Sequence, residues 1–346
     1  MKQSSQCRRY RPLEVVQMKD VRPDFAVIQD AVRLACRAPS LHNSQPWRWV
    51  AETSTLHLFA DFTRVMNAAD PEGREIYLSC GAALDHLTVA MAAFGWEAVV
   101  QRFPDPDDPL HVAAITFDSA PPGMAADSRP RALSIGRRYT DRRPYEAPAD
   151  WARFEVLLRQ TVIPHHVMFD TVLDDARSAL ATVSRLTATI RANDPSYEAE
   201  LNWWTSPFAS GDGVPQSALL SVEAAGHIDA ARHFPTPYAS PRAEYVEVDR
   251  SKIVVLSTHH EDARSDVLRC GEALSAVLLR CTASGLATCT LTHMTELAQS
   301  REIVRELTGQ RGMPQLLIRI GYSRNVDAVL AATPRRPLAD VLERRA

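Results

Sequence analysis

No C-x-x-C pair joins any of the six cysteines in this 346-residue chain, Cys7, Cys36, Cys80, Cys270, Cys281 and Cys289. Several of them sit in apolar helical patterns, where a free thiol behaves as a small hydrophobe, which fits a reducing compartment. A run of about 18 apolar residues is also missing, so no spanning helix is expected. The first 24 residues lack the apolar segment of a signal peptide and read as a loose extension in which Met18 is an equally plausible start; a cytoplasmic protein is expected. A marked excess of either sign of charge is absent too. The net charge of −3 gives no reason to expect nucleic acid or an anionic membrane as partner.

Several motifs of catalysis are lacking. No G-x-G-x-x-G follows a strand-like run, which argues against a Rossmann domain, and there is no G-x-S-x-G elbow. His165-His166 and His259-His260 have neither the i, i+4 spacing nor the cysteine partners of a zinc site. His293 stands alone and reads as a core histidine, and Glu261-Asp262 read as solvated loop residues. An enzyme built from this chain is therefore expected to rely on a bound cofactor.

Hydrophobic residues at 45% and charged residues at 23% are the proportions of a soluble globular protein with room for one large or two ordinary domains. The most informative stretch is Arg37-Ala-Pro39-Ser40-Leu41-His42-Asn43-Ser44-Gln45-Pro46-Trp47-Arg48-Trp49. It follows an amphipathic helix pattern over Phe25 to Cys36 that Pro39 must stop, and it precedes a strand-like run, Leu56 to Ala60. A rigid, polar bend beside aromatic mass suits a flat heteroaromatic ligand. The competing reading is a plain connector with two core tryptophans.

The chain also repeats itself. Leu78, Cys80, Gly81, Ala83, Leu84, Ala93 and Gly95 recur as Leu268, Cys270, Gly271, Ala273, Leu274, Ala283 and Gly285, each 190 residues on, and Arg74 recurs as Arg264. Each copy reads as a helix closed by a C′ glycine and followed by a strand. The competing reading is two similar core helices in one fold. Residues 119–130 read as a linker, dividing a first unit at 25–118 from a second at 131–346. Further strands are expected at His111 to Phe117, His166 to Leu173, Ile253 to Ser257 and Gln315 to Tyr322, giving an α+β class rather than strict alternation. Trp203 to Ser251, rich in Pro, Gly, Ser and Ala, is long enough to be a lid or a mere surface excursion.

The second unit opens with Arg137-Arg138-Tyr139-Thr140-Asp141-Arg142-Arg143, and the chain closes with Pro334-Arg335-Arg336-Pro337. Guanidinium forks around a hydroxyl suit a phosphate dianion, although a solvated basic turn and a charged tail have the same composition.

Together these motifs resemble the FMN-dependent nitroreductase superfamily over residues 25–346, and in particular its Acg-type two-domain branch. Pro39-Ser40-x-x-Asn43-Ser44-Gln45-Pro46-Trp47 is similar to that family's early loop, Arg138-x-Thr140-x-Arg142 to its opening phosphate motif, and Gly321-Tyr322 with Arg335-Arg336-Pro337 to its closing segment. The resemblance implies a nitroreductase fold duplicated in one chain as an internal pseudo-dimer, with a lid-like insertion at 203–251. It implies one FMN per chain, NAD(P)H as reductant, a nitroaromatic or quinone-type acceptor, and a monomer. It implies phosphate contacts from Arg138, Thr140 and Arg336, with Arg335 a lesser candidate, and positive charge near flavin N1 and O2 from Arg142. Pro39, Ser40, Leu41, Asn43 and Gln45 are expected along the ring and ribityl chain, and backbone N–H groups of Thr292 and His293 near N5. Many family members have Glu-Gly at this last position, so the hydride-accepting face departs from the pattern. The alternative is a protein that sequesters FMN beneath the lid and has little reductase activity.

Overall fold

Helix α1 (Phe25–Ala35) turns Ile28, Ala31, Val32 and Ala35 inward at helical spacing and ends just before Pro39. A short 3-10 turn (Leu41–Asn43) leads into β1 (Trp47–Ala51) and the antiparallel β2 (Leu56–Ala60). Helix α2 (Arg74–Ala93), β3 (Trp96–Arg102) and β4 (His111–Ser119) complete the first group. The computed structural model describes residues 22–206, 211–220, 225–226, 228–232, 234, 248–323 and 333–345. Most of the expected N-terminal extension, with Cys7 and Met18, and much of 203–251 lie outside them.

The expected linker is largely a helix. β4 runs to Ser119, and α3 (Met124–Arg137) starts after Gly123 and continues through Pro130. Pro, Gly and Ser make the segment read as a linker. Burial of Ser134 and Ile135 on α3, where Ile135 packs with Val89 and Leu279, outweighs the cost of the internal proline.

The second group comprises β5 (Tyr145–Glu146), α4 (Trp151–Val162), β6 (Met168–Thr171), α5 (Arg177–Arg191) and α6 (Pro195–Trp204). It continues with β7 (Lys252–Thr258), α7 (Arg264–Ala283), β8 (Ala287–Leu291), α8 (His293–Glu296), α9 (Ala298–Leu307) and β9 (Met313–Ser323). β9 lies between β7 and β8, β6 flanks β7, and β5 pairs with the end of β9. Each expected strand is present, and the class is α+β.

The chain's end departs from the expected division. After α10 (Leu338–Val341), β10 (Leu342–Arg344) runs parallel to β1, at the edge of the sheet ordered β10-β1-β2-β4-β3. Residues 342–344 of the 131–346 stretch therefore belong to the first group's sheet.

α2 and α7 cross at the centre of the main core. A Cβ on Gly81 would lie 2.0 Å from the Leu268 carbonyl oxygen, and one on Gly271 would lie 2.1 Å from that of Leu78. Glycine alone allows backbones so close. The two contacts are reciprocal: a shift of 190 residues turns Gly81 into Gly271 and Leu78 into Leu268. The C′ glycines, Gly95 and Gly285, both have left-handed φ, +88° and +75°. Among the described residues α2 is the one helix long and apolar enough to cross a membrane, and most of it is buried in this core.

Candidate functional site

The loop from α1 to β1 is held in a strained form. His42, Asn43 and Gln45 have φ of 46°, 59° and 50°, a conformation that costs non-glycine residues about 1–3 kcal/mol each and clusters at functional sites. The Gln45 N–H donates to Ser40 Oγ at 3.0 Å. Asn43 Nδ2 donates to the carbonyls of Gly213 and Pro334 at 3.0 and 3.1 Å, and Gln45 Nε2 donates to that of Gly211 at 2.9 Å. The two amides thus staple the loop to residues 211–213 and to the C-terminal segment.

Beside this loop lies a cavity lined from both groups. Pro39, Ser40, Leu41, His42, Glu75 and Leu78 come from the first; Thr140, Arg142, Cys289, Thr292 and Leu316 come from the second. Leu220, Ala225, Ala231, Arg232 and Phe234, from the 203–251 stretch, line it as well. Among the expected site residues, Pro39, Ser40, Leu41, Thr140, Arg142 and Thr292 share the cavity. Asn43, Gln45, Arg138, His293, Arg335 and Arg336 are not on its wall. The aromatic mass expected of Trp47 and Trp49 is fully buried on β1, so for them the connector reading holds. Burial also raises the Cys289 thiol, which leaves no thiolate nucleophile there.

Next to Pro39 and Thr140, three guanidiniums gather at the C-terminal end of α1. Arg138 Nη2 donates to the Arg37 carbonyl at 3.1 Å. Arg335 donates to the carbonyls of Cys36, Arg37 and Ala38 at 2.8, 3.1 and 3.3 Å, and Arg37 Nη1 to that of Thr333 at 3.3 Å. Among the described residues no carboxylate pairs with any of the three. Burial, then mutual repulsion, pushes Arg138 down to about 10 and Arg335 down to about 9. A helix C-terminus supplies only about half a negative charge, so a surplus of positive charge remains. Buried Nε of Arg138 has no hydrogen-bond partner among the described residues. Adjacent Arg336 turns elsewhere: its Nη1 meets the Gln45 carbonyl at 3.2 Å and Asp61 at 3.7 Å. Of the two closing arginines, Arg335 joins the cluster at the end of α1 and Arg336 does not.

A different network closes the cavity's other side. Arg232 pairs with Glu296 and donates to Tyr197 Oη, Thr292 Oγ1 and His42 Nε2 at 2.9, 3.1 and 3.2 Å. Burial, then Arg232 and Arg142, pushes His42 well below its usual range, so the ring is neutral and Nε2 accepts. Arg142 donates to the Ala218 carbonyl at 3.2 Å and lies 5.3 Å from the Phe234 ring centre. Buried His293 contacts Ser184 Oγ at 3.0 Å through Nε2, as a core histidine does.

Sequence reasoning passed over Arg37, Glu75 and Arg232. Arg37 stands at the head of the quoted loop, and Glu75 follows the repeated Arg74. Arg232 carried no local signal. Asp262 also differs from expectation: it is no solvated acid but a two-point partner of Arg301 and an acceptor from Gln315, and these bonds outweigh burial to hold its carboxyl down at about 2.

No family model matches the chain. It is 49% identical over 329 residues to a Mycobacterium tuberculosis protein named "Putative NAD(P)H nitroreductase acg", covering 95% of this chain and 99% of that one. It is 36% identical over 333 residues to the protein of the same organism named "Putative NAD(P)H nitroreductase Rv3131", covering 93% and 92%. Among solved structures, an FMN and NADPH-dependent nitroreductase, NfnB, from Sphingopyxis matches 62% of this chain and 99% of its own with a TM-score of 0.40 and 12% identity. At that level nothing about the site follows from it. Identity to the two M. tuberculosis proteins along nearly the whole length is decisive: the chain belongs to the nitroreductase family.

Proposed function

We propose that this protein is an FMN-binding, NAD(P)H-dependent oxidoreductase that passes electrons to nitroaromatic or quinone-type acceptors, nicotinamide and acceptor using one site in turn. The observation that carries this reading is the uncompensated positive charge of Arg37, Arg138 and Arg335, with the orphaned Nε of Arg138 among them. A phosphate dianion supplies both the missing charge and the missing acceptor. Thr140, two residues beyond Arg138, adds a hydroxyl donor where the cavity begins. Leu41, Leu78, Leu274 and Leu316 give the apolar bed for a flat ring, and Arg142 contributes positive charge that favours an anionic reduced form. When bound, FMN supplies hydride transfer through its N5 atom. The chain's own share is orientation, exclusion of water and fixed charge.

The same reading makes the chain an internal pseudo-dimer of two nitroreductase-like units, monomeric and with one flavin. The reciprocal approach of Gly81 and Gly271 supports it. So does sequence asymmetry: no arginine-hydroxyl-arginine motif immediately precedes the first unit's helix. Reconstitution with FMN tests this directly. A stoichiometry near one per chain is expected, and a value near two, or no uptake, overturns it.

A second reading has its own observation. Leu220, Phe234 and Arg232 line the cavity from the 203–251 stretch, and Arg232 is tied to Glu296, Tyr197 and His42. A segment so anchored serves as a lid that excludes nicotinamide and acceptor, leaving a flavin-sequestering protein. Rapid mixing of the yellow protein with NADPH separates the two. Prompt loss of flavin colour is expected for the reductase, and persistent colour for sequestration.

A further inference from the structure

Glu75 is a buried carboxyl on the cavity wall that the proposed cofactor contacts do not use. It stands in the first turn of α2, with a single charged partner at hydrogen-bond distance among the described residues, Arg74 Nη2 at 3.2 Å. That arginine is shared, since its Nη1 donates to the backbone carbonyl and Oε1 of Gln315 at 2.8 and 2.9 Å. The surroundings hold further acids. Asp70 accepts from the Glu75 N–H at 2.9 Å, and Glu296 of α8 faces the same cluster. Of the cations, Arg232 is engaged by Glu296. Arg142 and Arg319 lie on the cavity wall, and His42 is neutral there. Burial pushes Glu75 up to about 8, with Glu296 and Asp70 adding to the rise and Arg74 opposing it.

We infer that the Glu75 carboxyl is the proton carrier of the cavity, giving its proton to an oxygen of the acceptor as that acceptor takes up hydride. The inference rests on the oxidoreductase reading above and names the acid that reading lacks. A quinone-type acceptor needs one hydride and one proton to become a hydroquinone. The hydride derives from the nicotinamide donor. The proton leaves the Glu75 carboxyl as its O–H bond breaks, a new O–H bond forms on the acceptor, and the carboxylate is reloaded from water. General acid catalysis of this kind contributes roughly 10²- to 10⁴-fold, most effectively when the acid titrates near working pH.

The test uses flavin-loaded full-length protein, wild type and Glu75→Gln, with a simple benzoquinone as acceptor. Protons taken up per flavin on anaerobic photoreduction are counted with a pH indicator at about pH 8. Reduction places negative charge in the cavity, so Glu75 gains proton occupancy as the cofactor is reduced. Wild type should therefore take up a fraction of a proton more than Glu75→Gln. Single-turnover oxidation by the quinone should slow at least tenfold in Glu75→Gln, with Glu75→Asp recovering part of the rate. In wild type alone that rate should fall as pH rises through about 8. Equal proton uptake with equal rates overturns the inference, as does a flat wild-type profile should the variants not fold. A wild-type protein that takes up no FMN instead overturns the cofactor reading.

Discussion

Buried arginine meets the second-unit opening motif twice, in the Arg37, Arg138 and Arg335 cluster at its start and in Arg319 at its end, and the charge is handled in opposite ways. Arg319, 1% exposed, meets Asp249 in a two-point contact at 3.1 and 2.9 Å and stacks 4.6 Å over the Tyr145 ring. Its remaining donors reach the carbonyls of Arg142 and Arg143 at 3.3 and 2.9 Å. Burial alone lowers an arginine, yet Tyr145 and Asp249 raise this one, and Arg319 in turn outweighs burial to hold the Asp249 carboxyl low. Among the described residues Arg138 and Arg335 have carbonyls but no carboxylate, and both are pushed down. Burial of a charge is tolerable when a partner shares it. Arg319 takes its partner from the chain and braces β5, β9 and the end of the motif. The cluster has no such partner among the described residues, and in the proposed reading an anion from outside takes that place.

The comparison breaks most readily at Asp249. Asp249→Ala leaves Arg319 buried and unpaired and removes the acceptor of the Tyr145 N–H. A loss of about 3–5 kcal/mol in the stability of the flavin-free protein is expected by denaturant unfolding. A loss below about 1 kcal/mol means that Arg319 is not a folding element. Arg138→Ala should behave in the opposite manner. Its charge-assisted contacts with a phosphate contribute about 1.5–3 kcal/mol each, so FMN affinity should drop roughly 10- to 150-fold. Flavin-free stability should change little, because removal of one of three repelling cations offsets the lost packing. Riboflavin, which lacks the phosphate, should bind wild type and variant alike. An equal loss for both flavins removes the phosphate role.

A smaller effect sharpens the same contrast without any flavin. Inorganic phosphate binding to the folded state stabilises it by RT ln(1 + [L]/Kd), about 1.4 kcal/mol at ten times Kd. The melting temperature of flavin-free wild type should therefore rise with phosphate more than with chloride at matched ionic strength. Arg138→Ala and Arg335→Ala should abolish the difference. A rise that survives in both variants locates phosphate elsewhere.

Much of this was legible in the residues. Pro39 marked the helix end, the recurrence at 190 marked α2 and α7, and the early loop and Thr140-x-Arg142 do share a cavity. What was hidden depends on direction and distance in space. Trp47 and Trp49 alternate inward with Arg48 on a strand, and the sheet face decides whether they meet core or ligand. β10 is three residues long, too short for any period, and exists because β1 offers an edge. Proline and glycine made 119–130 read as a linker because helix propensity says nothing of what α3 packs against. Nothing in the sequence singled out Glu75, which stands in a helix's first turn, where acids are favoured for the dipole alone. Its burial beside Glu296 depends on a segment more than two hundred residues away, and only Asp70 is a near neighbour in the chain.

Arg335 and Arg336 show the same limit at its smallest scale, and they carry the last test. Successive side chains on an extended segment point to opposite sides, so one of the pair had to face α1 and the other away. The motif is symmetric under that choice; the contacts are not. Arg335 meets the carbonyls of Cys36, Arg37 and Ala38, whereas Arg336 meets Gln45, Asp340 and, at 3.7 Å, Asp61. Arg336 is partly exposed and its ion pair is loose, the kind that contributes about 0–1 kcal/mol. Arg336→Ala should therefore change FMN affinity by no more than about fivefold, while Arg335→Ala should approach the loss seen for Arg138→Ala. Titration of both variants by flavin fluorescence quenching measures the difference. The reverse ranking would mean that the bound anion sits on the Gln45 side of the closing segment, where Asp61 already supplies a negative charge.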